Sequence, residues 1–568
     1  MGFPHRIAIR VGFMMYFDYI QVKSRLQHPE TMTALPNRLA RALLKMLSFV
    51  CAAVVCGCAT PPDPGVDVSP VRQVPHASTL PAGWEHGAFM EVYVRGFQDS
   101  DGDGIGDLRG LTRRLDYLQA LGIKGLWLMP ITANADHAHG YWVTDFRAVD
   151  PAYGTLADFE ELARQAHARG IGIVVDYVIN HSSKENPLFA QSAKGKANPW
   201  RDWYVWEDAK PSGWSILDKD PWTTTPNGAY FAQFGAEIPD FNLRNPAVVA
   251  YHLDSLRFWL NHGADGFRID AVGHLFENGP GGWSMQPENY PFMARVRREL
   301  DVDHPHVMVC ESPADPIGFA APGACGSAFA FGHSEALVKA GLGDEKAIRA
   351  VADYFLTAPD TMATMVSNHD SFAGQRLWDA MGGDAARVRV AAAAYLLQPG
   401  TPYVYYGEEL GMSAVDTPGK DGRLRGPMSW TPAGGFTTGA AYSAPSINVP
   451  TNNAQAEGAD PGSLLAFYTA MLRLRNTHPA IATGRYVAPR VDGRTMSFQR
   501  VDADEHIAVV INYATAAGAA SLSGLPANAH LQRLYPAAGS NELRSADAQG
   551  SLAVPAAPLS VQVFLVSR

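Results

Sequence analysis

Between Phe89 and about residue 410, short apolar runs alternate with amphipathic helical patterns, which restricts the chain to a parallel sheet that is closed or doubly wound. The strand candidates are residues 89–97, 123–130, 171–179, 266–270, 306–310, 362–367 and 402–406. The run at 171–179 is typical of a strand that is covered on both faces. We therefore expect at least seven strands before residue 410.

Two of the intervening helices carry clear boundary signals. Leucines at steps of three and four residues predict a helix over 108–121 that ends at Gly122. Thr155 caps a second predicted helix, which ends at Gly170. These patterns place one buried stripe on each helix, as packing against a sheet requires.

The alternation stops twice. Residues 181–242 are rich in Trp, Pro and Asn and are too long for an ordinary loop, so they predict an inserted small domain. After Pro479, strand patterns such as 506–513 and 561–566 follow one another without helices. This predicts a C-terminal β-sandwich of roughly 90 residues.

The N-terminal region has the pattern of an export signal. The apolar run 46–57 follows the basic residues Arg38, Arg41 and Lys45, and it is too short to span a bilayer as a helix. Its end, Val-Cys-Gly-Cys at 55–58, resembles a bacterial lipobox, which implies acylation of Cys58, although Cys56 departs from the usual small residue. The alternatives are a plain cleaved signal or a simple anchor.

The segments on either side of this signal complete the expected export route. Residues 1–31 are interpreted as an upstream extension, because Met32 opens a signal of normal length. Residues 59–83 contain six prolines and no sustained period, which is typical of a tether. We expect a lipoprotein of the cell envelope, in the outer membrane or periplasm, or a secreted protein. Whether Cys310 and Cys325 pair cannot be decided from the sequence.

Charge limits the class of partner. The chain has 56 acidic and 46 basic residues, a formal net charge of -10, and it has no run of five basic residues. Nucleic acid therefore has little electrostatic support as a partner. The expected partner is uncharged or cationic, and the oligomeric state stays open.

Polar residues cluster directly after four of the strand candidates. They are Asp176, Asn180, His181, Arg268, Asp270, Glu311, Asn368, His369 and Asp370. In a barrel of parallel strands they would all lie at the mouth that holds the active site. Two carboxylates that flank one sugar bond are what glycoside hydrolysis needs, one as nucleophile and one as proton donor. One buried charge has structural explanations, whereas this set indicates a catalytic site.

Four blocks occur in the order of the core blocks of the α-amylase family, glycoside hydrolase family 13. They are residues 176–181, 266–270, 309–311 and 366–370, and similar stretches are 139–142, 238–242 and 405–411. From about Phe89 to its end, the chain resembles this family, least closely over the last 90 residues. The subgroup it resembles lies between the oligo-1,6-glucosidases and the neopullulanases.

The resemblance implies a (β/α)8 barrel with an inserted domain after strand 3 and a C-terminal antiparallel β-sandwich. The expected boundaries are 1–58 for the upstream extension and export signal, 59–83 for the tether, 84–180 and 245–478 for the barrel, 181–244 for the insert and 479–568 for the sandwich. It also implies a retaining mechanism. An α-glucan, such as starch, is the implied substrate.

By position, Asp270 resembles the family's nucleophile, Glu311 its general acid/base, and Asp370 the carboxylate that grips sugar hydroxyls. Arg268 lies two residues before Asp270, so both side chains project to one side of the strand, where a cation would keep the nucleophile ionised. Glu311 must instead hold its proton, which burial or nearby negative charge would favour.

The resemblance also marks a set of substrate-binding residues: His139, Tyr141, Trp142, His181, Arg268, His274 and His369. His181 and His369 are implied donors to sugar hydroxyls, and Tyr141 is the implied stacking ring. His274 is implied near the reducing-side subsites.

One loop has oxygen ligands at alternate positions. Asp99, Asp101, Asp103, the carbonyl of Ile105 and Asp107 would suit Ca²⁺, since four close carboxylates repel each other without a cation. The loop lacks the bidentate Glu at position 12 of an EF-hand, and the alternative is a solvated acidic turn. The family has a matching metal loop. A second Ca²⁺, implied by resemblance alone, would use Asn180, Asp240 and the carbonyl of His274.

Trp142 favours endo-acting cleavage, because similar exo-acting enzymes carry Asp there to clamp the terminal sugar. Ala271 resembles α-1,4-acting members. Gly273 and residues 425–430 depart from the pattern of the amylases, and residues 425–430 are closer to that of the oligoglucosidases. We predict an α-amylase; the alternatives are an exo-acting α-glucosidase, a glucosyltransferase, and a non-catalytic carbohydrate-binding or transporter-accessory protein, which would have no use for three carboxylates.

Overall fold

The structure is a computed structural model that describes residues 63–75, 78–216, 218–417, 419–537 and 543–567. The predicted export signal and Cys58 lie outside these residues. Within them, no helix combines the length and apolarity that crossing a membrane requires.

The central element is a parallel barrel. Its strands, in spatial order from the fifth, are Val307–Cys310, Gly266–Ile269, Gly172–Tyr177, Gly125–Leu128, Phe89–Val92, Thr401–Tyr405 and Ala363–Thr364. Ala328 pairs with Cys310 and Phe329 pairs with Ala363, both in parallel, so these two residues close the ring as its sixth strand position. The (β/α)8 fold class is confirmed.

Side chains from the strands fill the barrel interior. They form one buried apolar cluster: Phe89, Trp127, Val174, Val309, Phe329, Ala363, Met365 and Tyr403. Packed interiors of this kind leave no pore, so polar residues that follow the strands can lie only at the rims.

Helices surround the barrel and join its strands. Their bounds are Val94–Phe97, Leu108–Arg113, Leu115–Leu121, Leu156–His167, Pro187–Ser192, Pro246–Asn261, Asn289–Leu300, Pro316–Ala320, His333–Gly341, Glu345–Asp353, Leu377–Ala380, Ala385–Leu397, Ala454–Gly458, Leu464–Thr477 and Pro479–Thr483. Thr155 forms the expected cap, with a reciprocal hydrogen bond from its own backbone to Asp158. Gly122 ends its helix with φ 101°, a left-handed conformation that glycine adopts without strain.

Two smaller sheet regions flank the barrel. Between the third and fourth barrel strands, an antiparallel sheet consists of Trp206–Glu207, Gly228–Phe231 and Trp222–Thr225. Between the second and third barrel strands, Thr132–Asn134 pairs with Val143–Val149. The C-terminal part has a six-stranded sheet of Arg485–Asp492, Thr495–Val501, His506–Asn512, Ser560–Ser567, His530–Tyr535 and Leu543–Ser545. Gly518–Leu522 and Leu552–Ala556 form the second sheet of this predicted sandwich.

The structure differs from the sequence predictions at three places. The first strand ends at Val92 and a short helix follows at 94–97. The helix expected over 108–121 is two helices that meet at Arg114. Residues 64–75, expected as part of a tether, lie against the barrel, where the Gln73 amide donates to the carbonyl of Leu300 at 3.0 Å.

Cys310 and Cys325 form a disulfide. It joins the end of the fifth barrel strand to the segment that precedes the sixth strand position. The sequence left this pairing open, and the structure resolves it.

Candidate active site

The ends of consecutive barrel strands bring the predicted site residues to one rim. Asp176 lies near the end of the third strand, and Arg268 lies on the fourth, which Asp270 follows directly. Glu311 directly follows the fifth strand. Because the strands are parallel, their carboxyl ends share one rim, and His369 and Asp370 follow the seventh strand on that same side.

Arg268 is the centre of the site. One of its amino groups, Nη1, lies 2.6 Å from Asp270 Oδ1 and 2.8 Å from Asp176 Oδ1, and Nη2 lies 2.8 Å from Glu311 Oε2. One guanidinium thus contacts both carboxyl groups, which places them close together, as the predicted retaining mechanism requires.

The shared guanidinium leaves this cluster with more negative than positive charge. Burial raises the pKa of Glu311 to about 7, Arg268 opposes the rise, and the charges of Asp270 and Asp370 add to it. Burial also raises the pKa of Asp270 above its ordinary value, although Arg268 opposes it. The cation lies where the sequence predicts it, but it does not lower the pKa of Asp270 below the ordinary range, because desolvation is larger.

The backbone just after Asp270 is strained. Ala271 has φ 50°, a left-handed conformation that costs an alanine about 1 kcal/mol or more. This turn lets the Ala271 amide donate to Glu311 Oε2 at 3.1 Å. The bend thus orients the predicted acid/base, a role that the sequence analysis missed.

Asp370 belongs to a second ionic cluster. Arg425 Nη2 lies 2.8 Å from Asp370 Oδ1, and His369 Nε2 lies 3.1 Å from Asp370 Oδ2. Glu91 Oε1 lies 2.6 Å from the other ring nitrogen, His369 Nδ1. Burial opposes protonation of His369, but Asp370 and Glu91 raise its pKa to about 10. Although burial alone would raise it, His369 and Arg425 hold the pKa of Asp370 well below its usual range.

Tyr141 links the two clusters. Its hydroxyl donates to Asp176 Oδ2 at 2.9 Å, lies 2.9 Å from His369 Nε2 and accepts from Arg268 at 3.3 Å. The rings of Tyr141 and His369 stack at 5.6 Å. Its hydroxyl is therefore fixed from three sides.

Glu91, Arg425 and Trp127 are site residues that the sequence analysis did not select. Glu91 is a buried carboxylate on an otherwise apolar strand, which is a readable signal. Arg425 begins the stretch 425–430, which indicated only the subgroup of the family in the sequence. Trp127 donates to Asp176 at 3.1 Å, and its position in an apolar strand gave no sign of this bond.

His139, Trp142 and His181 occupy the neighbouring loops. His139 Nδ1 lies 3.3 Å from Asp136, and its ring contacts that of Trp142 edge to face. Burial lowers the pKa of His181 to about 3, and its Nε2 has no hydrogen-bond partner among the described residues. A neutral imidazole with an open nitrogen is suited to a sugar hydroxyl.

His274 lies beside aromatic rings. It stacks on Trp283 at 5.7 Å, and Phe234 contacts it edge to face. Its carbonyl accepts from the Gln233 amide at 3.0 Å. Asp240, predicted with Asn180 as a second Ca²⁺ ligand, accepts from the Asn180 amide at 3.2 Å and from the Gln233 backbone at 3.2 Å. N–H donors thus already contact two of these three groups, and the second Ca²⁺ stays a prediction.

The acidic loop brings more carboxylates together, although backbone amides also donate to Asp99 and Asp107. Carboxylate oxygens of Asp99, Asp101 and Asp107 all lie within 4.8 Å of one another, whereas Asp103 is outside that group and accepts from the Ile105 amide at 2.7 Å. Several oxygens at this spacing are the donor set that Ca²⁺ takes. The donor set therefore fits Ca²⁺ through three of the four predicted carboxylates.

The chain is similar to known proteins over most of its length. A family model described as alpha amylase, catalytic domain, matches residues 91–484. Alpha-amylase 3 of Dictyoglomus thermophilum is 33% identical over 447 residues, covering 76% of this chain and 85% of that protein.

Two further comparisons agree on the family and differ in named activity. Trehalose synthase/amylase TreS of Mycolicibacterium smegmatis is 34% identical over 471 residues, covering 72% of this chain and 79% of that protein. The crystal structure of the alpha-amylase from H. orenii superposes with a TM-score of 0.73 at 30% identity, covering 85% of this chain and 99% of that one.

Proposed function

The chain belongs to the α-amylase family, glycoside hydrolase family 13, and from that premise we propose that it hydrolyses internal α-1,4-glucosidic bonds of starch-like glucans with retention. Asp270 is the proposed nucleophile, Glu311 the acid/base and Asp370 the carboxylate that binds sugar hydroxyls. The observation that carries the proposal is the single guanidinium of Arg268, which contacts both Asp270 and Glu311.

In the first step, Asp270 attacks the anomeric carbon while Glu311 gives its proton to the departing glycosidic oxygen. A bond forms between the carboxylate and the sugar, and the bond to the leaving glucan breaks. In the second step, water attacks the same carbon, Glu311 takes a proton from it, and the Asp270 carboxylate leaves. A pKa of about 7 lets Glu311 serve both steps near neutral pH.

Asp370 and His369 are suited to hold the sugar ring. Arg425 and His369 keep Asp370 ionised, so that it can accept hydrogen bonds from hydroxyls, while the charged His369, which contacts Glu91 and Asp370, holds that carboxylate in place. Hydrogen bonds that strengthen as positive charge develops on the ring would favour the transition state.

Trp142 supports endo-acting cleavage. Where similar exo-acting enzymes carry a carboxylate, this chain offers an indole that contacts His139 and is only partly buried. An aromatic surface can carry a longer glucan without clamping its end.

A second candidate is glucosyl transfer. The relative named trehalose synthase/amylase is as similar as the amylase relative, and transfer uses the same glycosyl-enzyme with a sugar in place of water. The products of digestion distinguish hydrolysis from transfer, because transfer yields new disaccharides or longer oligosaccharides.

The test is a time course with soluble starch, pullulan and maltose, with products resolved by size. Endo-acting hydrolysis predicts a rapid fall in glucan length and a mixture of maltodextrins at the first time points. Glucose alone from the start would assign exo-action instead, and products longer than the maltose supplied would assign transfer.

Asp270→Asn is the matched variant for catalysis, because it keeps shape and removes the nucleophilic charge. We expect activity to fall at least ~1,000-fold. If the wild-type protein and the variant are equally inert on starch, pullulan and maltose, a carbohydrate-binding role is favoured instead.

We further propose a structural Ca²⁺ at Asp99, Asp101, Asp107 and the carbonyl of Ile105, while Asp103, the fourth predicted carboxylate, lies outside the converging group. The loop contacts a distant segment, because the Asp99 amide donates to the Phe436 carbonyl at 3.0 Å and Thr437 donates to the Asp99 carboxylate. A cation there would neutralise the carboxylates and brace the two segments together.

For localisation, we propose that the chain is exported and acylated at Cys58. Cells that express the full chain are labelled with radioactive palmitate, and the label should enter the wild-type protein but not Cys58→Ala. Cys51→Ala is the matched control and should keep the label. Equal labelling of all three proteins would exclude Cys58 as the site.

A further inference from the structure

A group of metal-ligating side chains lies at the other end of the fifth barrel strand from Glu311. Asp303, His304 and His306 each place one ligand atom within 4.8 Å of the others. His306 directly precedes the strand that Glu311 follows. Five extended residues separate them by about 16 Å, so this group is distinct from the candidate active site.

The local sequence brings the two imidazoles together. Residues two apart in an extended chain project to the same side, and the rings of His304 and His306 lie 4.3 Å apart. His304 Nδ1 lies 3.4 Å from Asp303 Oδ2. That is close to the spacing of two ligands on a tetrahedral ion with bonds of about 2.0–2.1 Å.

His306 points independently to a missing ligand. Its side chain is 3% exposed, and neither ring nitrogen has a hydrogen-bond partner in the described part of the chain. The carboxylate oxygen Asp301 Oδ1 lies 3.6 Å from His306 Nδ1, too far for a hydrogen bond. Buried polar groups normally have a partner, and an imidazole lone pair with none is suited to a metal ion.

Gln73 connects this group to the N-terminal segment. Its Nε2 donates to Asp303 Oδ1 at 2.8 Å and to the Leu300 carbonyl at 3.0 Å. Its buried Oε1 has no partner among the described residues. Gln73 therefore orients Asp303 as an outer partner would, and it adds an oxygen beside the group.

We propose that Asp303, His304 and His306 bind a structural Zn²⁺ ion that fixes residues 72–75 against the barrel. Two imidazoles and a carboxylate are a ligand set that zinc takes, whereas Ca²⁺ requires oxygens alone. Metal binding to Asp303 immobilises the carboxylate that holds Gln73.

The experiment is calorimetric titration of the chelator-treated full chain with ZnCl2, in excess CaCl2 so that oxygen-only sites are filled. We expect one saturable site. His304→Ala and the isosteric Asp303→Asn should each weaken it ~100-fold or more. His86→Ala is the matched control, because His86 has a side chain that is 50% exposed and lies outside the group, and it should keep wild-type affinity.

Amide hydrogen exchange tests whether zinc bound at Asp303 fixes residues 72–75. The Val74 amide donates to Asn261 at 2.8 Å, and its exchange should slow on addition of zinc in the wild type but not in Asp303→Asn. Starch hydrolysis should be unchanged in both variants, so that failure here is separable from failure of the proposed function. No saturable zinc binding, or binding retained in both variants, would overturn the proposal.

Discussion

At the scale of single residues, the candidate site contains more carboxylates than cationic side chains. Arg268 contacts three of these carboxylates, and burial beside other carboxylates raises the pKa of Glu311 to about 7, as a proton donor needs. A different arrangement holds Asp370, which has its own cations and stays ionised. Environment therefore gives chemically similar groups different proposed roles.

The raised pKa of Glu311 predicts the alkaline limb of the pH profile. Because the acid must be protonated in the free enzyme, kcat/KM should fall about tenfold per pH unit above a pH near 7. The check is kcat/KM on maltodextrin across the neutral and alkaline range. Glu277→Gln is the matched control, since burial raises the pKa of Glu277 to about 7 as well, and it should keep the limb.

A profile that is flat above neutrality in the wild type would contradict this assignment of the proton donor. Loss of the limb in Glu277→Gln would move the controlling group to Glu277.

The sequence could predict Asp270, Glu311 and Asp370 because each follows a recognisable strand within a block of characteristic residues. It could not predict the direction of the pKa of Asp270. The spacing of Arg268 shows that a cation is near, but the desolvation that outweighs it depends on how completely the rim is buried. Glu91 was missed because a single carboxylate in a strand has no partner in sequence, and its partner His369 is 278 residues away.

At the scale of elements, the barrel was predictable where a strand coincides with a continuous apolar run, as at Gly172–Tyr177. The sixth strand position consists only of Ala328 and Phe329, and two residues are too few for a recognisable strand pattern. It is identified only by its pairing with the strands on either side. The leucine stripe at 108–121 showed the buried face but not the break at Arg114, since both helices keep that face towards the core.

The disulfide predicts a stability difference at the fifth strand. Cys310 and Cys325 close a 15-residue separation, so Cys310→Ala with Cys325→Ala should lower the free energy of unfolding by about 3 kcal/mol. Urea unfolding measures it. Dithiothreitol should lower the urea midpoint of the wild type and leave the double variant unchanged; equal midpoints for all of these samples would show that the bond adds no stability.

The acidic loop predicts a graded response to Ca²⁺. In the wild type, a chelator should lower Tm and Ca²⁺ should restore it, because an ion bound only to the folded state stabilises it. Asp101→Asn should remove most of that response. Asp103→Asn is the matched control and should retain more, since its carboxylate lies outside the converging group. Tm that ignores both chelator and Ca²⁺ in the wild type would reject the Ca²⁺ proposal.

At the scale of the whole molecule, the chain becomes part of the barrel unit at Pro64 rather than near residue 84. Proline content and lack of period are equally typical of a free tether and of an extended segment laid on a surface, so the sequence could not separate them. What decides is a set of distant partners, such as Arg147, which donates to the Ser69 carbonyl at 2.7 Å.

This docking predicts that removal of residues 1–77 costs more stability than removal of residues 1–58. The longer deletion strips the buried guanidinium of Arg147 of the Ser69 carbonyl and of Asp67, 3.5 Å away. A buried charged donor left without these partners costs about 1–3 kcal/mol, measured here by the urea midpoint of each shortened chain.

Arg147→Met separates this cause from general loss of contact. In a protein that starts at residue 78, a methionine at position 147 leaves no buried charge without partners. The loss of unfolding free energy caused by the longer deletion should therefore be smaller in the Arg147→Met protein than in the wild type. Starch hydrolysis should persist in every version, because Arg147, Asn261, Leu300 and Asp303, which hydrogen-bond to the segment, do not belong to the candidate active site. Equal stability of the two shortened wild-type chains would mean that residues 59–77 act as a tether after all.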